Sequence, residues 1–408
     1  MCERDQLCNK VWKGIWKNGR GGYGSMTPRE RFRAVVHFKE PDRLPVYEWV
    51  AIPDETVLRW LREGMEIERA IGREELFIHG ELLSVGCYRL FGGYQPKTFD
   101  ILDRMVEIPI DFGPIPRFGP RIIEESDKFA VLVDAGGVKK RVFKDRQFGM
   151  PQFIEWPVKN LKDWRRVQER FKADDPKRYP LDWSDEAIDF YATTVFPTRI
   201  RVPGFFGFGR QLMGLIAWLK AFYQNQELVH EMEAFWADFL IGTLKPAVEA
   251  LKSSIDCVTI WEDMAYRKGP HISPRLFREF LLPGYMRLTE FLRHYGIDTV
   301  LTDSDGNILP LVPIFIEAGV KGLYPLEVQA GMDAIALRKE YGKRLILIGN
   351  IDKRAIALGR DAIEREVGSK LPYLKREGGY IPSLDHEVPP DVSYQNYCYY
   401  LEFLRKYL

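Results

Sequence analysis

Residues Asp298–Ala318 read DTVLTDSDGNILPLVPIFIEA. A β-rich run, Asp298–Leu301, stops in the polar loop Thr302-Asp303-Ser304-Asp305-Gly306-Asn307, and an apolar helical stretch follows to Ala318. The same order recurs on both sides. Upstream, a strand near Thr193–Val202 runs into Gly204-Phe205-Phe206-Gly207 and a helix near Arg210, and after the helical stretch Gln226–Leu251 the strand Asp256–Trp261 ends in Glu262-Asp263. Downstream, Gly322–Pro325 ends in Glu327, Arg344–Ile348 in Gly349-Asn350, and Gly379–Pro382 in Asp385-His386, each with a helix after it. Strand, polar loop, helix, repeated at least six times, specifies parallel strands joined by helical crossovers. With no GxGxxG fingerprint after any strand, the expected fold is α/β, a (β/α)8 TIM barrel, whose chemistry lies at the C-terminal strand ends.

The amino-terminal half is less regular. Thr27-Pro28-Arg29-Glu30 opens a helix with a capping box and Pro at its first position. Pro45–Ala51 (PVYEWVA) reads as a strand, and Asp54–Glu63 as a helix. Phe129–Asp145 (FAVLVDAGGVKKRVFKD) reads as a hairpin around Ala-Gly-Gly. It predicts an inserted hairpin or lid within an insertion of about residues 65–182. Residues 1–25 are basic and Gly-rich, without an apolar core, so they read as a poorly ordered extension and not a secretory signal. Met26 is a candidate natural start, and residues 26–408 are expected to form one barrel domain.

Composition narrows the function. The 408 residues carry 59 Lys+Arg against 58 Asp+Glu, a balance that argues against a nucleic-acid partner. No apolar run approaches a membrane span. The five cysteines form no C-x-x-C pair, which excludes a disulfide scaffold or thiolate zinc site and fits a reducing, cytoplasmic setting. Aromatic residues make up 13%, enough for a large core and for a pocket that takes a flat ligand.

Four strand-end residues carry the expected chemistry: Asp303, Asp305, Glu327 and His386. Three carboxylates and an imidazole at one barrel mouth repel when ionised unless a cation or protons compensate. A divalent metal is one solution, and the O,O,O,N donor set suits zinc, manganese, magnesium or calcium. Taken singly, each has a plain alternative: Asp303 or Asp305 as a helix cap, Glu327 as a solvated loop residue, Asp385-His386-Glu387 as a turn. Glu262-Asp263 is a second candidate pair, with His386 the candidate acid/base groups. Tyr47, Trp49, Phe205, Asn307 and Asn350 are candidate substrate contacts.

Met26–Pro45 (MTPRERFRAVVHFKEPDRLP), Ser273–Tyr285 (SPRLFREFLLPGY), Asp303–Asn307 (DSDGN), Gly349–Asp352 (GNID) and Asp385–Asn396 (DHEVPPDVSYQN) give the chain a further likeness. It resembles the uroporphyrinogen decarboxylase superfamily, in its cobamide-dependent methyltransferase-like branch, over residues 26–408. The resemblance implies a (β/α)8 barrel. Decarboxylases of the superfamily carry an Arg-rich N-terminal motif, whereas this chain has Leu44–Ala51 (LPVYEWVA) with only Arg43 nearby. The methyltransferases hold zinc with a His-x-Cys pair and a later Cys. Those positions look like Asp303, Asp305 and His386 here, with Glu327 where a Glu can approach the metal.

The resemblance therefore implies a metal-dependent methyltransferase component, with zinc the first candidate metal. It would move a methyl group between a small methylated or methoxylated donor, such as an aromatic methyl ether (O-demethylation), and a separate corrinoid protein. Corrinoid would come from that partner, because the chain lacks an Asp-x-His-x-x-Gly motif. A homodimer is expected by analogy. The rival readings are a decarboxylase or lyase acting on a small acid without metal, and a non-catalytic barrel that binds a small ligand.

Overall fold

The computed structural model describes residues 25–49, 52–65, 99, 101–144, 150–179 and 185–408. The expected extension, apart from Ser25, and much of the expected insertion lie outside the described residues.

The alternation read from the sequence becomes a curled sheet of seven strands: β1 (Val106–Glu107), β6 (Thr198–Pro203), β7 (Cys257–Trp261), β8 (Val300–Asp303), β9 (Gly322–Tyr324), β10 (Ile346–Ile348) and β11 (Tyr380–Ile381), in that order across the sheet. The β6–β7, β7–β8 and β10–β11 ladders are parallel. Strands β9, β10 and β11 are buried along their whole length, as strands covered on both faces must be. This is the α/β barrel architecture that the sequence predicts. The first expected strand departs from it. Among the described residues, 45–49 join no ladder; the Val46 carbonyl accepts from Asp103 N, and Trp49 N donates to the Ser383 hydroxyl.

The chain divides into two compact units. The first comprises residues up to Val106, Thr194–Pro197 and Tyr324–Leu408. It opens with the helix Pro28–Val36, where Thr27 and Glu30 form the expected capping box. Its core gathers Phe32, Trp60, Phe99, Tyr397 and Leu345. Arg31, 1% exposed, bonds to Asp42 and to Asp103, and Arg43 also meets Asp103. This buried ionic cluster accounts for Arg31, Asp42 and Arg43 of the Met26–Pro45 motif.

The second unit comprises Glu107–Thr193 and Thr198–Leu323. The expected hairpin is present as β3 (Phe129–Val133) and β4 (Lys139–Phe143), inside a four-stranded sheet with β2 (Arg121–Glu125) and β5 (Gln152–Glu155) at its edges. Both edge pairings contain a register shift, which interrupts the row of unpaired backbone groups. The long helix Gln226–Leu251 buries Leu228, Val229, Met232, Trp236, Leu240, Leu244 and Val248, a helical stripe read directly from i, i+3, i+4 spacing. Ser273 caps the turn at Pro274 as expected. A π-helical turn, Phe277–Leu281, then precedes Pro283, which has no N–H for a regular ladder.

Candidate functional site

In the first unit, three strand ends build one cluster. Glu327 follows β9 in a tight segment where Leu326 has φ +61°. Its position is fixed from behind by Gly349-Asn350. A Cβ on Gly349 (φ +98°) would stand 2.1 Å from the Pro325 carbonyl oxygen, so only glycine allows this approach. Asn350 (φ +66°) is fully buried, and its carboxamide donates to the Leu326 and Met332 carbonyls and accepts from Ala334 N. The GNID motif is thus scaffolding for the Glu327 loop, which corrects the expectation that Asn350 contacts substrate.

Asp385 and His386 follow β11. Asp385 is 0% exposed, and burial raises its pKa against the lowering effect of Lys353 and two backbone amides. His386 and Glu327, both half-buried, offer ligand atoms within 4.8 Å of one another, a spacing that one cation can bridge. The Lys353 ammonium stands 3.7 Å from Glu327 and 3.8 Å from Asp385. Glu48 is buried beside the same loop. It accepts from the Tyr397 hydroxyl at 2.8 Å and more loosely from Ser383 and Leu384 N, and desolvation pushes its pKa up to about 7. Tyr47 and Trp49 are core residues: their rings pack edge to face, and Trp49 also lies against Tyr324. Both candidate substrate contacts are thus buried among aromatic rings.

In the second unit, Asp303 ends β8, and its carbonyl accepts from Glu262 N. Asp303 and Asp305 are half-buried. Among the described residues, no group of three metal-ligating side chains includes Asp303. Asn307 accepts from Leu309 N, a turn contact in place of the expected substrate contact. Glu262 is fully buried under the first turn of the helix Phe205–Met213, where it accepts from Phe205 N at 2.8 Å, Gly207 N at 2.9 Å and the Tyr285 hydroxyl. A Cβ on Gly204 would meet its carboxyl carbon at 2.2 Å. The expected substrate-facing acid/base is therefore a helix-terminus acceptor. Burial still raises its pKa to about 7, and Glu233, also buried, has its own pKa raised by burial first and then by the Glu262 charge. Phe205 is likewise core, with its ring against Tyr285.

Asp263 differs from its neighbour. It is half-buried, holds φ +48° at the strand end, and is paired with Arg210, whose guanidinium lies over the Trp261 ring. Strain of this kind persists where the surroundings over-determine it. This pair borders a cavity of about 1470 Å³ lined by Trp156, Trp236, Trp261, Phe153, Phe208 and Met213. The aromatic wealth of the sequence thus supplies a pocket wall as well as a core, but from residues other than those expected. Lys353, Glu48 and Arg210 are the residues that sequence reasoning missed. Lys353 opens the helix Lys353–Leu358 and Arg210 lies in the second turn of the helix Phe205–Met213, past the strand ends, and nothing local marks them.

Among the described residues, no helix is long and apolar enough to cross a membrane. Two curated relatives, the uroporphyrinogen decarboxylases of Legionella pneumophila (strain Corby) and Photorhabdus laumondii, are 26% identical over 157 residues and 24% over 196. These alignments cover 38% and 46% of this chain, and 42% and 51% of the relatives, so the chain spans about half the length of the curated relatives it matches. A solved methyltransferase from Methanosarcina mazei superposes with a TM-score of 0.57 at 16% identity, covering 94% of this chain and 99% of that one, a likeness of fold. The family model of uroporphyrinogen decarboxylase (URO-D) matches residues 142–407, more than half of the sequence, and on that match the chain belongs to the URO-D family.

Proposed function

We propose that the chain is a methyltransferase component acting with a separate corrinoid protein on a small methylated or methoxylated donor. The observation that carries this reading is the Glu327–His386 pair, a carboxylate and an imidazole within one cation's reach on the loops that follow β9 and β11. A carboxylate with an imidazole is a hard-to-borderline donor pair, suited to zinc or another divalent ion. Such an ion, when bound, supplies Lewis-acid stabilisation of the leaving oxygen of a methyl ether or alcohol. The chain's own residues do the rest: Glu327 and His386 hold their geometry, and Lys353 offsets the carboxylate charge. The aromatic cavity of the second unit suits a flat donor in shape and polarity.

The resemblance of the curated relatives to this chain supports a decarboxylase reading less well. Arg43, beside the expected carboxylate-binding region, is engaged by Asp103, and Arg31 by Asp42 and Asp103. The test is elemental analysis of the purified protein with a methyl-transfer assay to free cobalamin. One divalent ion per chain, lost in His386→Ala together with at least 100-fold of the transfer rate, is the expected result. A metal-free protein that decarboxylates a small acid would sink the proposal.

A further inference from the structure

Asp385 lies directly before His386 in the chain, and its carboxylate reaches across to the residue directly after Glu327. One oxygen accepts from Val328 N at 2.9 Å, and the other from Lys353 N at 3.0 Å. Its own N–H donates to the Ile351 carbonyl at 2.8 Å. The side chain is 0% exposed, so it has no face toward a bound molecule. One carboxylate therefore ties the backbone beside one candidate ligand to the backbone beside the other, and to the turn that carries Lys353.

We propose that Asp385 is a positioning residue that sets the separation of Glu327 and His386, and so the affinity of that pair for a divalent cation. This rests on the reading that the pair holds such a cation. The chemistry requires an ionised or at least double-acceptor group. Both partners are N–H donors, so both oxygens must accept. Asparagine offers one carbonyl oxygen and turns an NH2 toward the other donor. Glutamate keeps both acceptors on a stem one methylene longer. Outer groups that orient metal ligands shift metal affinity by about 10- to 100-fold when replaced.

The experiment is zinc titration of wild type, Asp385→Asn and Asp385→Glu by calorimetry, with amide hydrogen exchange at Val328 and Lys353 and a crystal structure of each protein. The expected result is zinc binding weakened about 10- to 100-fold in Asp385→Asn, with lost protection at both amides and a widened Glu327–His386 separation, and intermediate values in Asp385→Glu. Wild-type zinc affinity in a folded Asp385→Asn that has lost the amide protection overturns the inference. If wild type takes up no zinc, the metal reading fails by itself. The crystal structures then decide the positioning role, and an unchanged Glu327–His386 separation in the asparagine variant rejects it. If Asp385→Asn does not fold, Asp385→Glu carries the same comparison, and unaltered zinc affinity with a displaced carboxylate again overturns the proposal.

Discussion

Asn350 shows how one side chain can hold a loop without facing a ligand. Its left-handed backbone and three hydrogen bonds fix the turn behind Glu327. Asparagine tolerates that region because its short polar side chain bonds locally. Alanine would keep the backbone strain and strand two carbonyls and an N–H, each costing about 1–3 kcal/mol when buried without a partner. Asn350→Ala is therefore expected to lose roughly 4 kcal/mol in urea denaturation, and a loss under about 1 kcal/mol would mean that water replaces the amide. The same residue marks a limit of sequence reading. A polar residue just after a strand of an α/β chain is a site candidate by position alone, and position does not say whether the side chain points to the mouth or back into the scaffold.

At the scale of elements, the junction between β6 and the helix Phe205–Met213 depends on close approach. Glu262, at the end of β7, reaches the helix amides only because Gly204 has no side chain. Gly204→Ala forces a methyl group into the carboxylate, and overpacking of this kind costs about 3 kcal/mol. Gly119→Ala is the control, since a Cβ there meets nothing within 4 Å. The expected outcome is a lowered melting temperature for the first variant and an unchanged or slightly raised one for the second. Element boundaries were largely legible in the sequence. The caps Thr27, Ser273 and Ser393 stand where their residue types and the following Pro or apolar run put them, because capping is decided within four residues. The Glu262 contact was not legible, because its partners are 55 and 57 residues away in the chain.

For the whole molecule, each unit contains a buried glutamate whose pKa is pushed up to about 7, Glu48 in the first and Glu262 in the second. Both stand above the ordinary 4.5 of the unfolded chain, so between these values the native state binds more protons. Stability is expected to fall as pH rises from about 4.5 to about 7, by up to roughly 3 kcal/mol for each group. Glu262→Gln should flatten the second unit's share, leaving a smaller difference between urea midpoints at pH 5 and pH 8. An unchanged pH slope in this variant would show that the carboxylate is ionised throughout and held so by its three donors.

The sequence by itself determined the alternation of strand and helix, the hairpin, the helix caps and the identity of the strand-end residues, because periodicity and capping are local. It also singled out Glu327 and His386 as candidates through their shared position after strands, and their ligand atoms lie within 4.8 Å of one another. Only the tertiary structure decided which strand-end groups are accessible and which are internal braces. Asp385 and Glu262 look like equals of Glu327 and Asp263 in the linear chain. They differ because backbone amides from distant segments close over them, and desolvation with a fixed set of donors turns a candidate acid into a structural acceptor.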